Sequence, residues 1–128
     1  MILVDTSVWI DHFYAGLPTL VKLLQQEKVL IHPFVIGELA CGHLQNRQEI
    51  LGLLHNLPVM PAVNERGALT LIETRSLMGR GVGYIDIHLL ASVLIQGKAR
   101  LWTRDKRLSA LAKAMNFSYK PPDMLVDQ

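Results

Sequence analysis

Three apolar residues at the amino terminus, Ile2, Leu3 and Val4, constrain the fold of this chain more than any other stretch. The run is too short and too branched for a helix, and successive side chains of a strand point to opposite faces, so both faces of this one must be covered. A strand buried on both sides belongs in a parallel sheet with helices above and below. Asp5 follows at once, at the carboxyl end of that strand, where open parallel sheets gather their ligands. Thr6 or Ser7 is then placed to cap a helix.

The rest of the chain repeats the alternation. Residues 7–14 and 18–27 read as helices, the second with Leu20, Leu23 and Leu24 at helical spacing and Pro18 in its first turn. Val29 to Ile31 is a second strand; Pro33 opens a helix running to about Leu44, and Asn46 caps another that carries Ile50, Leu51 and Leu54. Pro58 to Met60 suggests a short strand, Asn64 caps a helix to Met78, and the glycine-rich segment 79–83 is a connection. A helix from Tyr84 to Gln96, a strand from Arg100 to Thr103, a helix over 104–115 and an edge strand from Phe117 to Tyr119 complete the order. Strands alternating with helices predict an α/β/α sandwich around a parallel sheet of four or five strands. At 128 residues, half of them apolar, the chain is expected to be one domain over residues 1–128.

A lone cysteine, Cys41, excludes an intramolecular disulfide and is expected to be a small buried side chain. The absence of a signal-peptide pattern and of any apolar stretch near the ~20 residues needed to span a bilayer points to a cytoplasmic protein. The formal charge of +2 is unevenly placed: residues 1–97 carry a net −2 and residues 98–128 a net +4. The basic end is suited to phosphate or is simply a solvated surface.

Three carboxylates are each the only formal side-chain charge in a long segment. Asp5 is alone in residues 1–10, Glu38 between Lys28 and Arg47, and Asp86 between Arg80 and Lys98. A buried ionised carboxylate costs several kcal/mol unless paired, and no Lys or Arg lies nearby in sequence, so one shared divalent cation is the simplest common partner. Asp105 stands past the strand ending at Thr103, in a place like that of Asp5, though it could equally cap the next helix. For Glu38 the plain alternative is a helix rim, and for Asp86 a first-turn acid facing the helix dipole. An all-oxygen set suits Mg²⁺, with Mn²⁺ as substitute. A zinc site is disfavoured, because His88 lies two residues after Asp86 and points roughly 200° away around the helix.

Four separated stretches, VDTSVWID, IGELACG, GYIDIHLLASV and LWTRDKRL, occur in the order found in the PIN-domain ribonucleases, and the whole chain resembles that family's VapC toxins of bacterial toxin–antitoxin pairs. The resemblance implies an endoribonuclease whose acidic pocket of Asp5, Glu38, Asp86 and Asp105 binds Mg²⁺ or Mn²⁺. It places the hydroxyls of Thr6 or Ser7 and of Thr103 beside the pocket and leaves Asp11 outside as an exposed helix residue. The mechanism it implies is in-line attack by a metal-bound water, with a 5′-phosphate product and either one or two ions. Arg104, Lys106 and Arg107, which flank Asp105, would meet the RNA backbone or form a solvated helix face. Two other classes share features of the pattern: a flap-type DNA nuclease, which normally carries more acids on a longer chain, and a non-catalytic RNA- or protein-binding PIN domain, which would usually have lost one acid.

The mean hydropathy of +0.25 is high for a small chain with 19% charged residues. The first two helices offer Val8, Trp9, Ile10, Phe13, Tyr14, Leu17, Leu20, Val21, Leu23 and Leu24, more than two helix faces can bury in a small core. The expectation is an exposed apolar patch that supports a homodimer, as the resemblance also implies, and a groove for an apolar segment of a VapB-type antitoxin.

Overall fold

The computed structural model describes residues 1–122. Its centre is a parallel sheet in which β1 (Ile2–Val4) lies between β2 (Val29–Leu30) and β3 (Arg100–Trp102). Ile2 faces Val29 on one side and Arg100 on the other, and Val4 ends opposite Trp102. All three residues of β1 are buried, as expected of a strand covered on both faces. The two further strands expected at the edges shrink to single parallel bridges, Ile31 with Val59 and Leu101 with Ser118. The sheet therefore has three strands among the described residues, not four or five. Pro58 and Pro61 flank the pair Val59–Met60, and proline has no N–H to extend a ladder beyond it in either direction.

Seven helices among the described residues surround it: α1 (Thr6–Ala15), α2 (Pro18–Gln25), α3 (Pro33–Ala40), α4 (Arg47–His55), α5 (Glu65–Arg75), α6 (Tyr84–Gln96) and α7 (Lys106–Ala114). Pro18 and Pro33 each occupy a first turn, where the missing N–H costs nothing. Asn64 caps α5 by accepting from the Gly67 N–H at 2.8 Å, and α6 ends where Gly97 takes φ +72°.

Several local expectations change. Helix α3 ends at Ala40 rather than Leu44, and Cys41, at its C-cap, is exposed rather than buried. Asn46 stands before α4 in a left-handed conformation and makes no side-chain cap bond. Neither Thr6 nor Ser7 caps α1; both are inside it, and Asp5 holds the N-cap position. Trp9 is 3% exposed and belongs to the core, together with Val8, Leu20 and Leu23. The exposed part of the anticipated patch is Ile10, Phe13, Tyr14 and Val21. The rotation of α1 decides this: Trp9 packs inward while Ile10 and Tyr14, four residues apart, share the outward face.

Candidate active site

The chain brings its isolated acids to the carboxyl end of the sheet. Asp5 leaves β1, and its N–H donates to the Trp102 carbonyl at 2.9 Å, so the sheet ladder continues through it. Its carbonyl accepts from the Val8 and Trp9 N–H groups, which starts α1. The carboxylate, in a residue only 5% exposed, does not cap that helix. It turns across the sheet, where Oδ2 accepts from Ser7 Oγ at 2.8 Å and Thr103 Oγ1 at 2.7 Å.

Glu38, half-buried on α3, accepts at Oε1 from Thr6 Oγ1 at 2.6 Å, which ties α3 to the first residue of α1. Asp86, also half-buried, sits in the first turn of α6 and accepts at Oδ2 from the Gly83 N–H at 3.0 Å. The spacing Gly83 to Asp86 is that of an N-cap and N3 pair, so the sequence itself carries a signal for this bond beyond the helix-dipole argument. Asp105 is the N-cap of α7, and its Oδ1 accepts from the Arg107 and Leu108 N–H groups at 2.9 and 3.0 Å. The helix-cap alternative for Asp105 is thus realised.

Asp86 feels the other three acids. The Asp86 carboxyl is pushed above its usual range, first by burial and then by the negative charges of Asp5, Asp105 and Glu38, with the Gly83 N–H opposing. None of the four pairs with a Lys or Arg; the ion pair between Arg104 and Asp11 is the one found among the described residues. Each carboxylate receives its protein hydrogen bonds on a single oxygen among the described residues: Oδ2 of Asp5 and Asp86, Oδ1 of Asp105 and Oε1 of Glu38.

That donor set fits a hard divalent cation. Mg²⁺ takes one or two carboxylates directly and keeps several waters, so acids with one oxygen bound by the protein and the other open supply what it needs. Among the described residues no three His, Cys, Asp or Glu side chains close into a ready-made cage.

The basic residues near Asp105 are arranged individually. Arg104 donates through Nη1 to Asp11 at 2.9 Å, so Asp11 is an ion-pair partner rather than a bare surface acid. Ser7 and Asp11 are one turn apart on α1, and Arg104 spans both, its N–H donating to Ser7 Oγ at 3.0 Å. Arg107 lies across Gly81: a Cβ built there would fall 2.6 Å from the Arg107 side chain, and φ is +80°. Glycine meets both demands. Lys106 is exposed at the start of α7.

His88 is buried and stacks edge-on with Phe34 and Tyr84. Burial holds its imidazole below the usual range, and two residues along α6 set it roughly 200° around the helix axis from Asp86.

Comparison with known proteins agrees with this architecture. A PIN-domain family model matches residues 2–114. The protein called Ribonuclease VapC32, in two strains of Mycobacterium tuberculosis, is 52% identical over 110 residues, which cover 86% of this chain and 89% of each relative. With a parallel sheet, acids gathered at its carboxyl end and more than half its residues shared with these relatives across the matched length, the chain belongs to the PIN-domain family, among the VapC ribonucleases.

Proposed function

We propose that this chain is a divalent-metal-dependent endoribonuclease that serves as the toxin of a toxin–antitoxin pair, with Asp5, Glu38, Asp86 and Asp105 holding Mg²⁺, or Mn²⁺ in its place. The observation that carries this reading is four acids on separate elements, each bound by protein donors on one oxygen and none paired with a basic side chain among the described residues. The relatives' name favours RNA over flap DNA.

When bound, the cation supplies a water of lowered pKa and positive charge beside the phosphodiester. This chain's own residues hold and orient. Asp5 is fixed from β1 by Ser7 and Thr103, Glu38 from α3 by Thr6, Asp86 by the Gly83 N–H, and Asp105 by the first turn of α7. No side chain serves as the nucleophile. Lys106, with Arg104 and Arg107 beside it, meets the RNA backbone as it passes Asp105.

RNA and flap DNA incubated with the protein in Mg²⁺, Mn²⁺ or EDTA test the reading. RNA should be cut only with metal, and Asp5→Asn, Glu38→Gln, Asp86→Asn and Asp105→Asn should each lose more than about tenfold, as expected when one ligand of a charge-based site is neutralised. Wild-type rates in all four would overturn it, and preferential cutting of flap DNA would replace RNA as substrate.

The partner in this reading is a VapB-type antitoxin in the cytoplasm. A groove of about 710 Å³ runs between α1, α3 and α4, lined by Ile10, Phe13, Tyr14, Leu39, Ile50 and Glu38, so an apolar segment seated in it ends against one of the acids. Phe13→Glu should weaken antitoxin binding and leave metal affinity unchanged. Tyr14 on α1 and Val21 on α2, both exposed, favour a homodimer, and a clean 14.4 kDa monomer in light scattering at micromolar concentration would exclude it. No helix among the described residues is long and apolar enough to cross a membrane.

A further inference from the structure

We infer that Ser7 and Thr103 are a pair of positioning residues that select which oxygen of Asp5 meets the cation. The inference rests on the proposal that Asp5 is a metal ligand. A hydroxyl has a single proton, and the direction of that proton follows from what else the oxygen does. Ser7 Oγ accepts from the Arg104 N–H at 3.0 Å, and Thr103 Oγ1 accepts from the Asp105 N–H at 3.1 Å. Each hydroxyl is therefore free to give its proton to Asp5, and both reach the same atom, Oδ2, at 2.8 and 2.7 Å. The 3.3 Å approach of the two hydroxyls to each other is left without a proton of its own.

Two donors on one carboxylate oxygen, both oriented by backbone N–H groups of a single turn, fix the rotation of the Asp5 carboxylate about its Cβ–Cγ bond. Oδ2 is directed to the protein, and Oδ1 is the oxygen left for a ligand. The carboxylate reaches this state ordered before any cation arrives, so binding does not have to freeze it. The same four bonds join the start of α1 to the turn before α7, so the positions of Asp5 and Asp105 are set by one connected network. Thr103, 9% exposed, is shielded from water that would compete for Oδ2.

The test is Mn²⁺ affinity, measured from the free-ion electron paramagnetic resonance signal, with thermal melts in EDTA as the measure of folding. Outer partners of metal ligands typically contribute about 10- to 100-fold in affinity. Thr103→Val, which keeps the shape and removes the donor, should weaken Mn²⁺ binding about tenfold or more on that scale, and Ser7→Ala should do the same more weakly. Thr103→Ser, which restores a hydroxyl, should return affinity to near that of the wild type, an outcome that a packing role for the threonine methyl would not give. The inference is overturned if Thr103→Val and Ser7→Ala bind Mn²⁺ as the wild type does while Asp5→Asn does not. It is equally overturned if Thr103→Ser binds no better than Thr103→Val. Wild-type Mn²⁺ affinity in Asp5→Asn would instead remove Asp5 from the metal site, and this inference with it.

Discussion

At the β1–α1 junction the aspartate in the N-cap position turns its carboxylate away from the helix it begins, whereas at the β3–α7 junction the aspartate in the same position folds its carboxylate back onto the helix. Both follow a strand of the same sheet, and both have extended backbone, with φ −74° and −76°. The difference lies in which donors reach each carboxylate first. Asp5 is buried and meets two hydroxyls, one from its own helix and one from the neighbouring strand's end. Asp105 is exposed, and its Oδ1 takes the Arg107 and Leu108 N–H groups. Capping and a place in an acidic pocket are compatible: a cap bond occupies one oxygen of Asp105 and leaves the other available. A helix-capping aspartate at the end of a sheet strand is therefore not disqualified as a ligand by its cap.

A third N-cap widens the comparison and carries the largest expected effect on stability. His32 caps α3 by accepting the Phe34 N–H on Nδ1 at 3.0 Å, and it is fully buried. Burial first, and the nearby His88 second, lower its pKa to about 4 from 6.5. In the folded chain it therefore binds a proton less readily than in the unfolded chain, so the stability it contributes is complete above pH 6.5 and is lost as the pH falls toward 4. The loss should amount to roughly 3 kcal/mol, since each tenfold drop in proton affinity on folding corresponds to about 1.4 kcal/mol. Asp86 works in the opposite sense: its raised pKa gives stability at low pH that is lost as the pH rises through the folded value. Urea melts from pH 7 to 4 should show the His32 loss. His32→Asn, which keeps a cap acceptor but not the titration, should flatten that slope even if its baseline stability is lower. An unchanged slope would show that His32 is not the group responsible.

The two aspartate junctions should separate under substitution in metal-free buffer. Asp105→Ala deletes a working cap and should cost about 1 kcal/mol. Asp5→Asn has no helix cap to lose, keeps an acceptor for Ser7 and Thr103, and removes one of the charges acting on Asp86. Its melting temperature in EDTA should equal or exceed that of the wild type, and the Asp86 carboxyl should titrate lower by NMR. A lower melting temperature for Asp5→Asn would mean that the charge of Asp5 supports the fold rather than straining it.

The smallest effect belongs to the link between the junctions. The Arg104–Asp11 pair is partly exposed on both sides, with side chains 34% and 44% accessible, so Asp11→Asn should cost less than about 1 kcal/mol and less still in high salt. Because Ser7 is engaged by the Arg104 backbone N–H and not by its side chain, the Asp5 carboxylate should stay in place in that variant. A large loss of Mn²⁺ affinity would show that the ion pair, rather than the backbone of the turn, holds Ser7.

Local pattern was sufficient for much of this. The alternation of short apolar runs with helical spacing specified the α/β class, and Tyr84–Gln96 was bounded correctly because glycines stand at both of its ends and a long apolar run lies between them. The charge isolation of Asp5, Glu38 and Asp86 was legible because burying a carboxylate carries a cost that no nearby residue offsets. Other features depended on how distant segments meet. Trp9 is core and Ile10 is surface because of the way α1 is rotated against the sheet, and Cys41 is exposed because α3 stops one turn early. The outer strands dwindled to single bridges at Val59 and Ser118, where pairing depends on the neighbour and not on the residue's own preference. The choice between the two oxygens of Asp5 lies furthest from local pattern. Ser7 makes it together with Thr103, ninety-eight residues from Asp5, and a hydrogen bond across that separation exists only once the chain has folded around it.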